Sequence, residues 1–260
     1  MHSYAQTNIQ LFNQLCREGY SHSELAPIRN AYELAMRLFT GHFLASGRTQ
    51  IAHIVGTASI LSSLHLPVEV VAGGLIHNAY VTGDFGNGRK GTSEARRNRV
   101  RQAVGRDVEE YVYRFPALQW NSKTIPAIRD GLDTLDLIGR RVLLIRLADQ
   151  LDHRRDLGGF YYHHSVERCR EHINRNGHVV VDIAGSLGFP ALAAELERVF
   201  RETVLAEIPV ELMDQISRTR PRTIAPKSYR RRISIALRQN LIPKLRVLRS
   251  AFLISCLICV

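Results

Sequence analysis

A chain of 260 residues with 45% apolar and 23% charged side chains has the make-up of a soluble globular protein and is long enough to bury a core. Its four cysteines, Cys16, Cys169, Cys256 and Cys259, are too scattered for a disulfide framework and fit a reducing compartment. The net charge of +11 is confined to one end: residues 218–260 carry eleven Lys and Arg and no acid, whereas residues 1–217 carry 24 of each sign, so the body is not a basic nucleic-acid-binding domain.

The opening residues, MHSYAQTNIQLFNQL, have no basic stretch leading into an apolar run, and no secretory signal is expected from them. In SELAPIRNAYELAMRLF, Leu25, Ile28, Tyr32, Ala35, Met36 and Phe39 fall on one helical stripe, with Ser23, Glu24 and Pro27 as the start. The loop TGHFLASGRTQ follows. IAHIVGTASILSSL reads as the next helix, and PVEVVAGGLIHNAY, opened by Pro67, as another. Beyond the glycine-rich loop VTGDFGNGRKGT come a charged helix, SEARRNRVRQAV, then RDVEEYVYRFPAL and the more polar SKTIPAIRDGLDTL. RRVLLIRLADQLDHRRDL is apolar in its first half and charged at its end, and SVERCREHINRNGHVVVDIAGSLG and FPALAAELERVFRETVLAEI complete the body. No segment alternates between hairpin turns, so the expected class is all-α.

Three of these apolar helices carry polar groups able to bind a metal: His53 in IAHIVG, His77-Asn78 in GLIHNAY, and Asp149 in IRLADQL. A lone histidine on such a face is ordinarily a satisfied core residue. The aspartate is different, because a buried carboxylate needs a cation, a metal or several donors. Arg146, three residues earlier, is one candidate partner; a site of two imidazoles and a carboxylate for a transition metal is the other.

The order of these segments resembles the HD-type hydrolase domain of the RelA/SpoT family, which cleaves the pyrophosphate from (p)ppGpp with Mn²⁺. AYELAMRLFTGHFLASGRTQIAH is similar to the family's opening helix, its Ser-Gly loop and its first metal histidine, at His53. AGGLIHNAY is similar to the segment bearing the His-Asp pair, with His77 in the histidine position. RRVLLIRLADQLDHRRDL resembles the helix ending in Leu-Ala-Asp, which puts the last metal carboxylate at Asp149. HVVVDIAGSLGFPALAAELERVF resembles the helices that follow. The resemblance, over residues 24 to 205, implies an HD-like helical bundle.

The departures fall on the chemistry. Asn78 stands in place of the family's aspartate; its carbonyl can ligate a hard cation but brings no charge. Val81 and Thr82 replace the family's Glu-Asp pair, leaving Asp84 as the nearest acid for a catalytic role. Leu44 occupies the position of the arginine that stacks on guanine, and Asp152-His153 replaces the polar pair after the last metal ligand. The family's synthetase domain needs far more chain than these residues supply and is not expected among them. The resemblance thus implies a divergent phosphohydrolase acting on a nucleotide or another phosphorylated small molecule. Its divalent cation, Mn²⁺ or similar, would be held by His53, His77, Asn78 and Asp149, with Arg146 and His153 toward the substrate. The alternative is a catalytically silent HD scaffold that binds a nucleotide or protein partner as a regulator. His163 and His164 add imidazoles near the same stretch.

Composition divides the chain into residues 1–217 and a basic tail, 218–260. The tail mixes arginines with apolar residues from Tyr229 onward, is broken by Pro243, and ends in AFLISCLICV. Ten apolar residues are too few to span a bilayer, which takes ~20. The pattern suggests contact with an anionic membrane surface through residues 229–260, for a cytoplasmic protein peripheral to the inner membrane face. Its competitors are packing on the body or a partner, and disorder. Nucleic acid fits less well, because Tyr229 and Phe252 are the tail's only aromatics. Cys256-x-x-Cys259 lacks a second ligand pair for zinc.

Overall fold

The computed structural model describes residues 4–44, 47–86, 90–155, 166–207 and Glu211. All lie within a unit spanning Met1–Arg222. The tail readings, Cys256 and Cys259, and His163 and His164 fall outside the described residues.

The fold is all-α. The described residues form ten helices, α1 (Asn8–Arg17), α2 (His22–Phe39), α3 (Gln50–Ser63), α4 (Val68–Ile76), α5 (Glu94–Val104), α6 (Arg106–Arg114), α7 (Thr124–Asp130), α8 (Leu137–Arg154), α9 (Val166–Ser186) and α10 (Pro190–Leu205). Extended pairing among them is limited to an isolated bridge between Phe43 and Thr49. No described helix is long and apolar enough to cross a membrane.

Each start has a local cause. Thr7 and Gln10 make a reciprocal capping box at α1, and Ser21 with Glu24 does the same at α2, meeting backbone N–H groups that a helix start leaves unpaired. The cap of α2 is therefore Ser21 rather than Ser23. Thr49 caps α3 through Ala52 N–H, and Asp136 caps α8 through Gly139 N–H. The α2 stripe is narrower than its periodicity suggests. Ile28, Ala35 and Phe39 are buried, Leu25 and Tyr32 are partly buried, and Met36 is 37% exposed.

Helix α4 is the axis of the bundle. Every residue from Val70 to Ile76 is buried, and α2, α3, α6 and α8 pack around it. A helix enclosed on all sides reads as apolar all round, which is why VEVVAGGLI shows no polar face. Gly74 sets the approach of α3: a Cβ there would stand 2.5 Å from Leu61 Cδ1. Helix α8 lies against α3, α4, α6 and α10, while α9 pairs with α10. The consequence for function is geometric. The end of α4, the start of α3 and the last turns of α8 meet in the interior.

Candidate metal centre

His53 on α3, His77 at the C-cap of α4 and Asp149 on α8 offer three ligand atoms that all lie within 4.8 Å of one another, and all three residues are buried. His53 Nε2 is 3.1 Å and His77 Nε2 3.2 Å from the same oxygen, Asp149 Oδ1. The two rings meet edge to face, 5.4 Å apart.

The outward nitrogens set the tautomers. His77 Nδ1 is 2.7 Å from the Gly74 carbonyl, which can only accept, so Nδ1 carries the proton and Nε2 of the neutral ring keeps its lone pair. Burial keeps this ring neutral, pushing its pKa below the ordinary value despite Asp149. His53 Nδ1 is 2.7 Å from Asp152 Oδ2. Burial again opposes charge on His53, but Asp149 and Asp152 outweigh it and push the pKa up to about 9.

Asp149 gathers the remaining partners. His153 Nε2 lies 3.4 Å from Oδ1, with its ring stacked on His53 at 4.1 Å, and Arg146 donates to Oδ2 at 3.1 Å. Burial alone would raise the Asp149 pKa; His153, then His53 and His77, hold it well below the usual carboxylate range. Arg146 also donates to the Phe115 carbonyl at 3.3 Å and stacks over that ring at 3.7 Å, and the ring lies 4.7 Å from His77. Both partners first weighed for Asp149, the neighbouring arginine and a metal-type donor set, are thus present around one carboxylate.

The amide of Asn78 lies beside His77, with Nδ2 2.8 Å from Nε2; rotated about its last torsion, it would present its carbonyl oxygen instead. Asp84 is not among the converging donors. It sits in the turn after α4, where its carboxylate accepts from Gly86 N–H at 2.7 Å and its own N–H donates to the Leu38 carbonyl. Val81 is 45% exposed, and Thr82 bonds the Asn78 carbonyl. Leu44 N–H donates to the Arg48 carbonyl within the loop before α3.

The chemistry of the donor set fits a divalent cation. Two imidazoles turn their Nδ1–H groups outward to fixed acceptors and their Nε2 atoms inward to one carboxylate oxygen, the orientation that metal-ligating histidines take. The His77 lone pair and Asp149 Oδ1 are both acceptors, and a positive group between them relieves their repulsion.

Sequence reading did not anticipate Arg48, Gly56 or the placing of Asp152 against His53. Arg48 donates to both oxygens of Asp152, at 2.8 and 3.0 Å. The one readable signal was spacing: Asp152 is three residues past Asp149 on the same helix face.

Residues 36–119 match the model of a family described as a domain of unknown function, DUF6817. That stretch holds His53, His77, Asn78, Asp84 and Phe115 but ends before Asp149. No curated protein matches the chain.

Proposed function

We propose that the protein is an HD-type metal-dependent phosphohydrolase, related to the RelA/SpoT hydrolase domain and acting on a nucleotide or another phosphorylated small molecule. The observation that carries the reading is the convergence of His53, His77 and Asp149 on one buried point, with both Nδ1–H groups turned away from it. These three residues would hold the cation, Mn²⁺ or similar, with Asn78 as a neutral fourth donor. A divalent ion there supplies Lewis acidity toward a phosphoryl oxygen and lowers the pKa of water. His153, with its side chain 36% exposed, stands at the outer edge of the cluster to meet a substrate phosphate. Arg146 fixes Asp149 from the inside and adds positive charge beneath it. Asp84 lies outside this cluster, in the turn after α4, and is given no step in the reaction. Residues 229–260 are assigned to an anionic membrane surface, and liposome sedimentation with and without residues 218–260 tests that part.

The test of the main reading is release of phosphate or pyrophosphate from a panel of nucleotides by the full chain with Mn²⁺, beside His77→Ala. Turnover that falls to background in His77→Ala supports it; no turnover of any substrate by a metal-loaded wild type contradicts it.

One observation favours a second reading, a silent scaffold that binds a nucleotide or a protein regulator. Asp149 already has Arg146 at 3.1 Å and a proton-bearing His53 at 3.1 Å, so its charge is offset by protein groups alone. Nucleotide binding that is unchanged by Mn²⁺ and by His77→Ala would select it.

A further inference from the structure

Asp152 is fully buried, and the reaction proposed above gives it nothing to do. Closing a carboxylate off from water is costly unless its lone pairs are met. Here they are met from three parts of the chain. Arg48, in the loop before α3, donates Nη1–H to Oδ2 at 2.8 Å and Nη2–H to Oδ1 at 3.0 Å. His53 brings Nδ1 to Oδ2 at 2.7 Å, and Arg155 Nε lies 3.4 Å from Oδ1. The guanidinium of Arg48 is pinned in turn, donating to the Ala52 carbonyl at 3.0 Å and to Gln6 Oε1 at 2.6 Å.

The backbone of α3 is cut to fit this carboxylate. A Cβ on Gly56 would overlap Asp152 Oδ1 and approach Arg48 Nη2 to 3.0 Å. Glycine inside a helix is less favourable than alanine, and the space it leaves is filled by the Asp152 carboxylate. Arg48, His53 with Gly56, and Asp152 thus come from separate segments and share one group.

We infer that Asp152, clamped by Arg48 and admitted by Gly56, is a positioning residue that fixes the His53 ring with Nδ1 as donor and aims Nε2 at the point shared with His77 and Asp149. The inference rests on the metal reading. Arg48 and Asp152 form a neutral pair, so they supply orientation and ligand basicity through the short Nδ1–H bond, not net charge. That orientation matters more here than in a centre with two carboxylates. Asn78 adds no charge, so the two imidazoles carry a larger share of cation binding.

Co²⁺ serves as the probe, because its visible absorption reports the ligand field. The full chain, stripped with chelator, is titrated with Co²⁺ beside Asp152→Asn, which keeps the shape and loses the charge. Affinity is expected to fall about ten- to a hundredfold in Asp152→Asn, with a changed absorption band. The His53 Nδ1–H resonance in long-range ¹H–¹⁵N spectra of the metal-free protein should move upfield with it, because an amide oxygen is a weaker acceptor than a carboxylate. A side chain that only stabilises the fold would lower the melting temperature and leave the Co²⁺ affinity, the band and the Nδ1–H signal of the folded protein in place; that result overturns the inference and spares the metal reading. Should Asp152→Asn fail to fold, Arg48→Gln replaces it. Releasing the clamp should weaken Co²⁺ binding, with Arg48→Lys restoring part of the loss, and unchanged affinity in Arg48→Gln overturns the inference. Wild type that takes up no Co²⁺ overturns the metal reading and this inference together.

Discussion

His53 and Asp152 face each other across the α3–α8 interface at 2.7 Å, Nδ1 to Oδ2, while the other nitrogen of the same ring lies 3.1 Å from Asp149 Oδ1. A single imidazole joins two carboxylates three residues apart on one helix. Its fit depends on the absence of a side chain at Gly56. Alanine in place of glycine within a helix ordinarily stabilises by about 1 kcal/mol. Here Gly56→Ala is expected to destabilise by about 1–3 kcal/mol, as overpacking of a filled interior does. Urea denaturation measures it, and a variant as stable as wild type would contradict the geometry.

Phe115 ties the site to the core. Its ring is 1% exposed, 4.7 Å from the His77 ring and 3.7 Å from the Arg146 guanidinium. Phe115→Ala should cost about 3–5 kcal/mol and weaken metal uptake, because both neighbours lose a wall. Phe115→Leu, which keeps most of the volume, should lose less stability. Equal losses in the two variants would mean that cavity formation is not the cause.

Away from the site, Glu109 is a third buried carboxylate, and it carries a pH signature. Burial alone would raise the Glu109 pKa, but donation from Arg97, Tyr80 and Arg101 holds it below the ordinary value. A carboxyl whose folded pKa lies below its unfolded one adds stability that is fully present above the unfolded value, about 4.3, and is lost as pH falls through the folded value. Glu109→Gln should therefore destabilise at neutral pH, by about 3 kcal/mol for breaking a buried pair, and flatten the acid limb of the stability curve. Parallel limbs in wild type and variant would remove Glu109 from that role.

The helices were legible because apolar residues recur at helical spacing. Helix α1 was not: NIQLFNQLCR buries only Leu11 and Leu15, too short a stripe to register, although its Thr7–Gln10 capping box was there to be read. Met36 fits the α2 stripe in sequence and is exposed in the fold, because a 3.6-residue period does not say how wide the covered face is. Within the site, His53, His77 and Asp149 stood out as polar groups interrupting apolar helices. Asp152 stood out only as half of the polar pair after Asp149 and Arg48 not at all, since the two are 104 residues apart and their pairing has no signal in the sequence. Gly56 was equally silent, because a helical glycine explains itself only once the atom facing it is known.

Asn78 marks the point where charge is missing. Asn78→Asp would place a second carboxylate beside His77 Nε2, where the amide now lies 2.8 Å away, and should raise Co²⁺ or Mn²⁺ affinity by at least about tenfold. Calorimetric titration measures it. Weaker binding in Asn78→Asp would show that position 78 faces away from the cation.

The central claim is that His53, His77 and Asp149 hold a divalent metal. Elemental analysis of the purified full chain, beside His77→Ala, tests it most directly. Near-stoichiometric metal in the wild type, lost in His77→Ala, is the expected result. A wild type that stays free of metal and refuses Mn²⁺ in excess, while remaining folded, would contradict it.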